Sequence, residues 1–458
     1  MSELDYFFNP KTVAVIGASR DQKKIGHVIF RNFVKGKFNG KVFPVNPKTE
    51  KLLNIKCYKS VSKIKEKIDL AVVSIPAPVV PDVLEECGKK KVKACITVSG
   101  GFKEIGNIEL EKKLKTIAKK HRLRIIGPNC LGVFDPYSGV DTIFNPRYKL
   151  ERPGKGSIAF VSQSGATMSV ILDWMALKGY KISKAISYGN GVDVDESDLI
   201  EHLAGDERTE VICLYIEGVR DGRKLLLAAK KTSPNKPIVA LKGGVTEEGK
   251  KATTSHTGSL AGEVEIYKAA FKQSGIVEAY DLEQLFDFAR VLSTQPLPKG
   301  NRVQIITDGG GFGVLMSDWV VKNKMKIAKM KKKSIDRIRE VASPHAGLEN
   351  FIDLTGDATT KMYKVSLHSA MEDENVDMIA LITLFQPPML TPDVVEVVIE
   401  AVKENKKPII VIAAGGDYTE VLKRSMEENG VPCFSYPERA AEALRALYEY
   451  SNIKSKGG

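Results

Sequence analysis

The stretch VAVIGASRDQKKIGHVIFRNF, residues 13–33, decides the fold. Val13–Ile16 is a short apolar run of strand length, and Gly17-Ala18-Ser19 ends it. Apolar residues then fall at Ile25, Val28, Ile29 and Phe33, at spacings of three and four, which predicts a helix. A strand, a turn and a helix in that order open a parallel sheet with crossover helices.

The unit repeats outward from there. Val42–Val45, Leu70–Ile75, Ala94–Val98 and Arg124–Ile126 are similar runs, each followed by Gly, Pro, Ser or Asn. They complete a Rossmann-like domain over residues 1–146. RYKLERPGKG, residues 147–156, is polar with Pro and two Gly and reads as a linker. A second α/β block, 147–298, carries the strands Ser157–Val161, Lys184–Ser187, Val211–Ile216 and Pro237–Leu241, then a long helical region reaching Leu292. After a second boundary at STQPLPKGNR, a third block fills 299–458 with strands Val303–Ile306, Met378–Thr383, Pro408–Ala413 and Pro432–Ser435. The expected fold class is α/β throughout: a Rossmann-like domain followed by two flavodoxin-like parallel-sheet domains. The blocks repeat architecture, not sequence.

Composition narrows the function. At 458 residues the chain has room for about three domains. No stretch approaches the roughly 20 unbroken apolar residues that cross a bilayer, and MSELDYFF lacks the basic and apolar segments of a secretory signal. Six scattered cysteines without a CxxC pair read as reduced thiols, which points to the cytoplasm. The net charge of +13 comes from dispersed lysines with no basic block interleaved with aromatics. Nucleic acid is therefore not the expected partner, nor is a membrane; phosphorylated small molecules are.

Ligands of open parallel sheets bind outside the carboxyl ends of the strands. In the first block those ends carry Gly17-Ala18-Ser19, Asn46-Pro47-Lys48, Ile75-Pro76-Ala77, Ser99-Gly100-Gly101 and Gly127-Pro128-Asn129. Small residues there let a ligand approach the backbone, and Lys48 can meet a phosphate. The first turn is not a dinucleotide fingerprint, because Ser19 stands where the second glycine belongs. Gly244–Lys251 fits a phosphate-binding P-loop through Lys250, but Lys251 replaces the Mg²⁺-binding hydroxyl and two glutamates would face the phosphates. Both are decoys.

The sharpest signal is ATTSHTGSLAG, residues 252–262. It is small and polar, with little to bury, and one imidazole, His256, stands in its middle. No metal-ligand partner is near, so the expected metal set is none. A mobile loop showing one histidine suits a nucleophile that must travel. Spacing alone leaves a structural histidine and a nucleophile both open.

With GPNCLG at 127–132, VSQSGA at 161–166, SYGNGVDVDESD at 187–198 and IEGV at 216–219, the loop SHTGSLAG resembles the α subunits of ADP-forming acetyl-CoA synthetases, within the succinyl-CoA synthetase superfamily. The third block matches as well, through TDGGGFGVL at 307–315, FIDLTGDA at 351–358 and GVPCFSYPERAAEAL at 430–444. The resemblance covers essentially the whole chain.

It implies roles residue by residue. His256 is the phosphorylated histidine and Glu217 the carboxylate that orients its ring, which leaves Nε2 as nucleophile. Phosphate falls to two strand-to-helix turns, at Gln163, Ser164 and Gly165 and at Gly310 and Gly311. Coenzyme A falls to Ser19, Ile25, Asn46, Lys48, Ile75, Pro76, Ser99, Gly100 and Asn129, and the acyl end to Gly165, Asn190 and Gly191. The implied reaction turns acyl-CoA, ADP and inorganic phosphate into a carboxylate, ATP and CoA, through an acyl phosphate and phospho-His256. ADP or ATP with Mg²⁺ would enter through a partner, since nothing after residue 300 looks like an ATP-grasp region. An ATP-grasp β subunit in an α2β2 assembly is the implied partner, with acetyl-CoA or another acyl-CoA as substrate. A succinate- or aryl-acid-specific ligase, a catalytically silent CoA-sensing module and a P-loop NTPase stay open as alternatives.

Overall fold

The structure, a computed structural model, describes residues 2–257 and 263–457. The chain divides into two compact units, Met1–Glu278 and Ala279–Gly458.

The first unit holds two main sheets. One has five parallel strands in the order Lys41–Val45, Thr12–Ile16, Leu70–Val73, Ala94–Thr97, Arg124–Ile126. Every residue of Leu70–Val73 and Ala94–Thr97 is buried, as central parallel strands covered on both faces must be. The other sheet runs Ile276–Ala279, Ile238–Lys242, Val211–Ile216, Gly154–Ser162, Lys181–Ser187, Gly132–Phe134. Its last strand is antiparallel to Lys181–Ser187 and comes from the segment that the sequence assigns to the first domain. The second unit has Lys326–Ile327, Arg302–Thr307, Met378–Ile382, Ile409–Ile412 and Cys433–Phe434 in that order, all parallel, and a sixth strand, Ile352–Asp353, pairs in parallel with the end of Arg302–Thr307. With the antiparallel Gly132–Phe134 and the off-path Ile352–Asp353 set aside, the strands of each sheet follow the order 2-1-3-4-5 in chain sequence. The topological switch therefore falls between the first and third strands every time, and ligands of open α/β sheets bind there.

Three sequence expectations change. The long helical region before Leu292 is broken: helix Val264–Ser274 ends on Gly275 in the left-handed conformation, the strand Ile276–Ala279 follows, and a new helix starts at Leu282. The stretch expected as a loop around His256 is helical over Glu247–Thr257, with acidic residues in its first turn where the helix dipole favours them. Residues 258–262 lie outside the described residues. The polar segment 147–156 is anchored rather than a free linker. Arg152 is 8 % exposed and its guanidinium reaches the Asp141 carboxylate at 3.2 Å, while the strand already begins at Gly154. All six cysteines are unpaired and buried.

Candidate functional site

In the second sheet the switch point lies between Gly154–Ser162 and Val211–Ile216, whose carboxyl ends carry Gln163 and Glu217. The Gln163 backbone N–H donates to the Tyr215 carbonyl at 3.0 Å. Its side-chain Oε1 accepts the backbone N–H of Glu217 at 2.7 Å and that of Gly218 at 2.9 Å. With the amide oxygen committed to two donors, Nε2 is the polar atom that Gln163 can offer a ligand, and it is a donor. Glu217 is held from the other side too. The Lys242 ammonium donates to its carbonyl at 2.9 Å and to that of Gly243, and lies 4.8 Å from the centre of the Tyr267 ring. Burial lowers the Lys242 pKa, and the nearby Glu217 charge opposes that shift.

The chain turns at Ser164 into the helix Gly165–Leu177. Ser164 caps it, its Oγ accepting the Thr167 N–H at 3.2 Å and the Thr167 hydroxyl at 3.0 Å. The first N–H groups of a helix have no partner within it, and the dipole makes that end favourable for an anion. Gly165 starts the helix close under the neighbouring loop, where a Cβ would stand 3.2 Å from the Leu131 nitrogen.

Asn190 arrives from the strand Lys181–Ser187. The following segment runs back along the end of the first sheet: Asn190 donates its backbone N–H to the Pro128 carbonyl at 3.0 Å, and Val192 to that of Gly127 at 3.0 Å. The turn needs Gly189, which has φ +55° and where a Cβ would fall 2.2 Å from the Asn129 carbonyl oxygen. Asn190 is thereby set beside Asn129, whose Nδ2 donates to the Asn190 Oδ1 at 3.4 Å.

These elements enclose a cavity of about 370 Å³. Of the residues proposed from sequence it gathers Asn129, Gln163, Ser164, Gly165, Asn190 and Glu217. Its wall also includes Cys130, Leu131, Phe144 and Asn145, which the sequence reading did not assign. Cys130 and Leu131 belong to the GPNCLG motif already singled out, whereas Phe144 and Asn145 lie in a stretch with no motif. Burial pushes the Cys130 thiol up to about 12, so it is not a thiolate nucleophile.

The remaining first-block residues sit along the carboxyl edge of the first sheet. Asn46 donates from Nδ2 to the Ala18 carbonyl at 2.7 Å and accepts the Lys48 N–H at 2.9 Å. Ile75 donates its N–H to the Ser99 Oγ at 3.2 Å. Ser19 is half-buried, Ile25 starts a helix and is exposed, and Pro76, Gly100 and Lys48 are exposed. The Gly100 backbone is within reach of Asn129 and Glu104 side-chain oxygens, each 3.3 Å from where a Cβ would stand. Gly191 is buried behind Asn190.

Gly310 and Gly311 open the helix Gly310–Lys322 in the second unit. A Cβ on Gly310 would lie 2.7 Å from an Asp353 carboxylate oxygen, and the buried Asp308 side chain accepts the Leu384 N–H at 2.9 Å. Burial raises the Asp308 carboxyl to about 6. An anion at this helix end has Asp308 and Asp353 as neighbours, as one beside the Gln163 amide has Glu217. His256 lies in the helix Glu247–Thr257, and its side chain is outside the described residues. The decoy lysine, Lys250, is bound to Glu247 and Glu263 at 2.8 Å each. Among the described residues no group of three or more His, Cys, Asp or Glu is arranged to hold a metal ion, and no helix is long and apolar enough to cross a membrane.

Three family models match the chain in order: a CoA binding domain over 11–136, a succinyl-CoA ligase like flavodoxin domain over 155–292, and a ligase-CoA domain over 303–456. The chain is 44% identical to an ADP-forming acetate–CoA ligase of Methanocaldococcus jannaschii, covering 99% of this chain and 64% of that protein. It thus spans just under two thirds of that relative. It is 42% identical to the α subunit of ADP-forming acetate–CoA ligase II of Pyrococcus furiosus, covering 99% of each. Among solved structures, acetyl-coenzyme A synthetase 1 of Candidatus Korarchaeum cryptofilum, in complex with phosphate and ADP, superposes with a TM-score of 0.93 at 37% identity. The match covers 99% of this chain and 98% of that one.

Proposed function

The chain belongs to the family of ADP-forming acetate–CoA ligases, in the range occupied by their α subunits, and on that premise we propose that it is the CoA-binding, phosphohistidine-bearing subunit of such a ligase. The functional modules are 1–146 for CoA, 147–298 for the acyl and phosphate chemistry with His256, and 299–458 for the ligase-CoA domain. One observation carries the reading. The helix end at Gly165, the Gln163 amide and the Glu217 carboxylate line one cavity with Asn129 and Asn190, residues that reach it from the coenzyme-binding sheet and its neighbour.

Each part has a task. CoA lies across the carboxyl ends of the first sheet, with Lys48 facing a phosphate and the thioester end reaching Gly165, Asn190 and Gly191. Inorganic phosphate rests on the N–H groups at Gly165 and on the Gln163 amide, and one of its oxygens attacks the thioester carbonyl carbon. The C–S bond breaks, CoA leaves and takes a proton, and an acyl phosphate remains. His256 Nε2 then attacks phosphorus; the P–O bond to the acyl group breaks and the carboxylate departs. Glu217 accepts the Nδ1–H and supports the positive ring. A terminal ADP oxygen finally takes the phosphoryl group and the P–N bond breaks. ADP with Mg²⁺ is brought by a β subunit of ATP-grasp type, in an α2β2 assembly in the cytoplasm, and Gly310-Gly311 receive the phosphoryl group during the transfer.

The test is reconstitution with the β subunit and measurement of ATP formed from acetyl-CoA, ADP and phosphate. The account expects ATP and free CoA in equal amounts from the pair, and CoA binding without ATP from this chain alone. ATP formation by the isolated chain contradicts it.

A further inference from the structure

The polar character of the cavity is divided. At the Gln163 end the amide oxygen is consumed by two backbone N–H groups, so the Gln163 amide there offers a donor, beside the Glu217 carboxylate. At the opposite end the arrangement is reversed. Asn190 Nδ2 donates to Glu104 Oε2 at 2.7 Å and to Glu111 Oε2 at 2.8 Å. Carboxylates accept and never donate when ionised, so the Asn190 amide has one permitted orientation, nitrogen toward the acids and Oδ1 away from them. Asn129 completes the chain by giving its own Nδ2 to that Oδ1 at 3.4 Å, which leaves the Asn129 Oδ1 near Gly100. Both asparagines line the cavity, and in both the amide nitrogen is taken by a neighbouring oxygen.

The two acids are themselves built in. Glu104 Oε1 accepts the N–H groups of Gly101 at 2.6 Å and Phe102 at 3.2 Å. Burial raises its pKa, but hydrogen bonds from Asn190 and from those N–H groups outweigh burial, so the carboxyl lies below its usual range and stays an acceptor. Glu111 is 6 % exposed, and its other oxygen takes Arg220 at 2.7 Å. Arg220 in turn donates to the Gly191 carbonyl at 2.8 Å, next to Asn190 in the chain. One buried acid, Glu111, and one half-buried acid, Glu104, thus hold one asparagine, with Arg220 behind them. With its nitrogen spent on the two acids, the Asn190 amide has its oxygen to offer a ligand.

We propose that Glu104 and Glu111 are positioning residues that lock Asn190, and through it Asn129, with amide oxygens toward the cavity, making this end a receptor for an N–H donor such as the secondary amides of a pantetheine arm. The proposal rests on the CoA reading above. It also shifts Asn190 from holding the acyl oxygen to accepting from the arm that delivers the thioester.

The full chain is titrated with two probes, CoA and adenosine 3′,5′-bisphosphate, which carries the nucleotide phosphates but no pantetheine. Replacing Glu104→Gln together with Glu111→Gln frees the Asn190 amide to turn, because a glutamine amide can donate to its oxygen. CoA should then bind roughly tenfold more weakly, the scale of one or two lost hydrogen bonds, with the bisphosphate unchanged. If both probes weaken equally, or neither does, the clamp is overturned. Glu111→Asp keeps the charge for Arg220 but withdraws the carboxylate, and should give the same selectivity at smaller size even if the double variant folds poorly. A wild-type chain that binds neither probe overturns the coenzyme reading itself, which is distinguishable from a wild type that binds both while the variants show no selectivity.

Discussion

Gln163 holds Glu217 by the backbone rather than by the carboxylate: its Oε1 accepts the Glu217 N–H at 2.7 Å. A side chain one residue past the first strand of the sheet thus fixes the end of the third, across the switch point. The same position in the second unit is filled by Asp308, which accepts the N–H of Leu384 at the end of Met378–Ile382. The two sheets close their switch points alike, but the first does it with an amide and keeps a donor in reserve.

That difference can be tested. Gln163→Glu preserves both accepted N–H bonds and replaces the donor by negative charge. We expect the KM for phosphate to rise by about tenfold or more, the cost of losing a donor to an anion and adding repulsion, with CoA affinity unchanged. Steady-state kinetics of the reconstituted enzyme, varying phosphate, measures this. Equal loss for phosphate and CoA would mean that Gln163 is structural.

Glu196 gives a pH prediction. It is 3 % exposed, and burial, followed by the charge of Asp195, pushes its carboxyl from the ordinary 4.5 up to about 7. Between those two values the folded chain holds a proton that the unfolded chain has released, so stability falls as pH rises through that window. The full loss is about 3 kcal/mol by linkage, and above pH 7 the residue adds no further slope. Glu196→Gln should remove this fall and leave the protein more stable at pH 8 than wild type, as read by denaturant unfolding at several pH values.

Much of this was legible in the sequence, for a physical reason. Central parallel strands are buried on both faces, so Val211–Ile216 stands out as a continuous apolar run and has the same bounds in the structure. Gly132–Phe134 is three residues long and Ile276–Ala279 four, too short to show against their surroundings, although Gly275 marked the break. The stretch 252–257 is helical rather than a loop because small polar residues say nothing against a helix once Glu247 and Glu248 favour its start. Motifs located Gln163, Asn190 and Glu217. They could not reveal the acids behind Asn190, which lie 86 and 79 residues away in the chain.

Arg152 checks the anchored segment. It donates to Asp141, 1 % exposed, and to the carbonyls of Leu150 at 2.6 Å and Asn145 at 3.0 Å. Burial already raises the Asp141 pKa against the pull of Arg152 and Arg147. Arg152→Met leaves a buried carboxylate with Arg147 alone and should cost about 3 kcal/mol, seen in the urea midpoint. A linker residue on the surface would change it by less than about 0.5 kcal/mol.

The central claim is that His256 carries the phosphoryl group between the thioester and ADP. The most direct measurement is labelling of the reconstituted complex with acetyl-CoA and ³²P-phosphate in the absence of ADP. The account predicts an acid-labile, base-stable label on this chain that is chased into ATP when ADP is added and is missing in His256→Ala, whose CoA binding is intact. An equally labelled, fully active His256→Ala enzyme would contradict it.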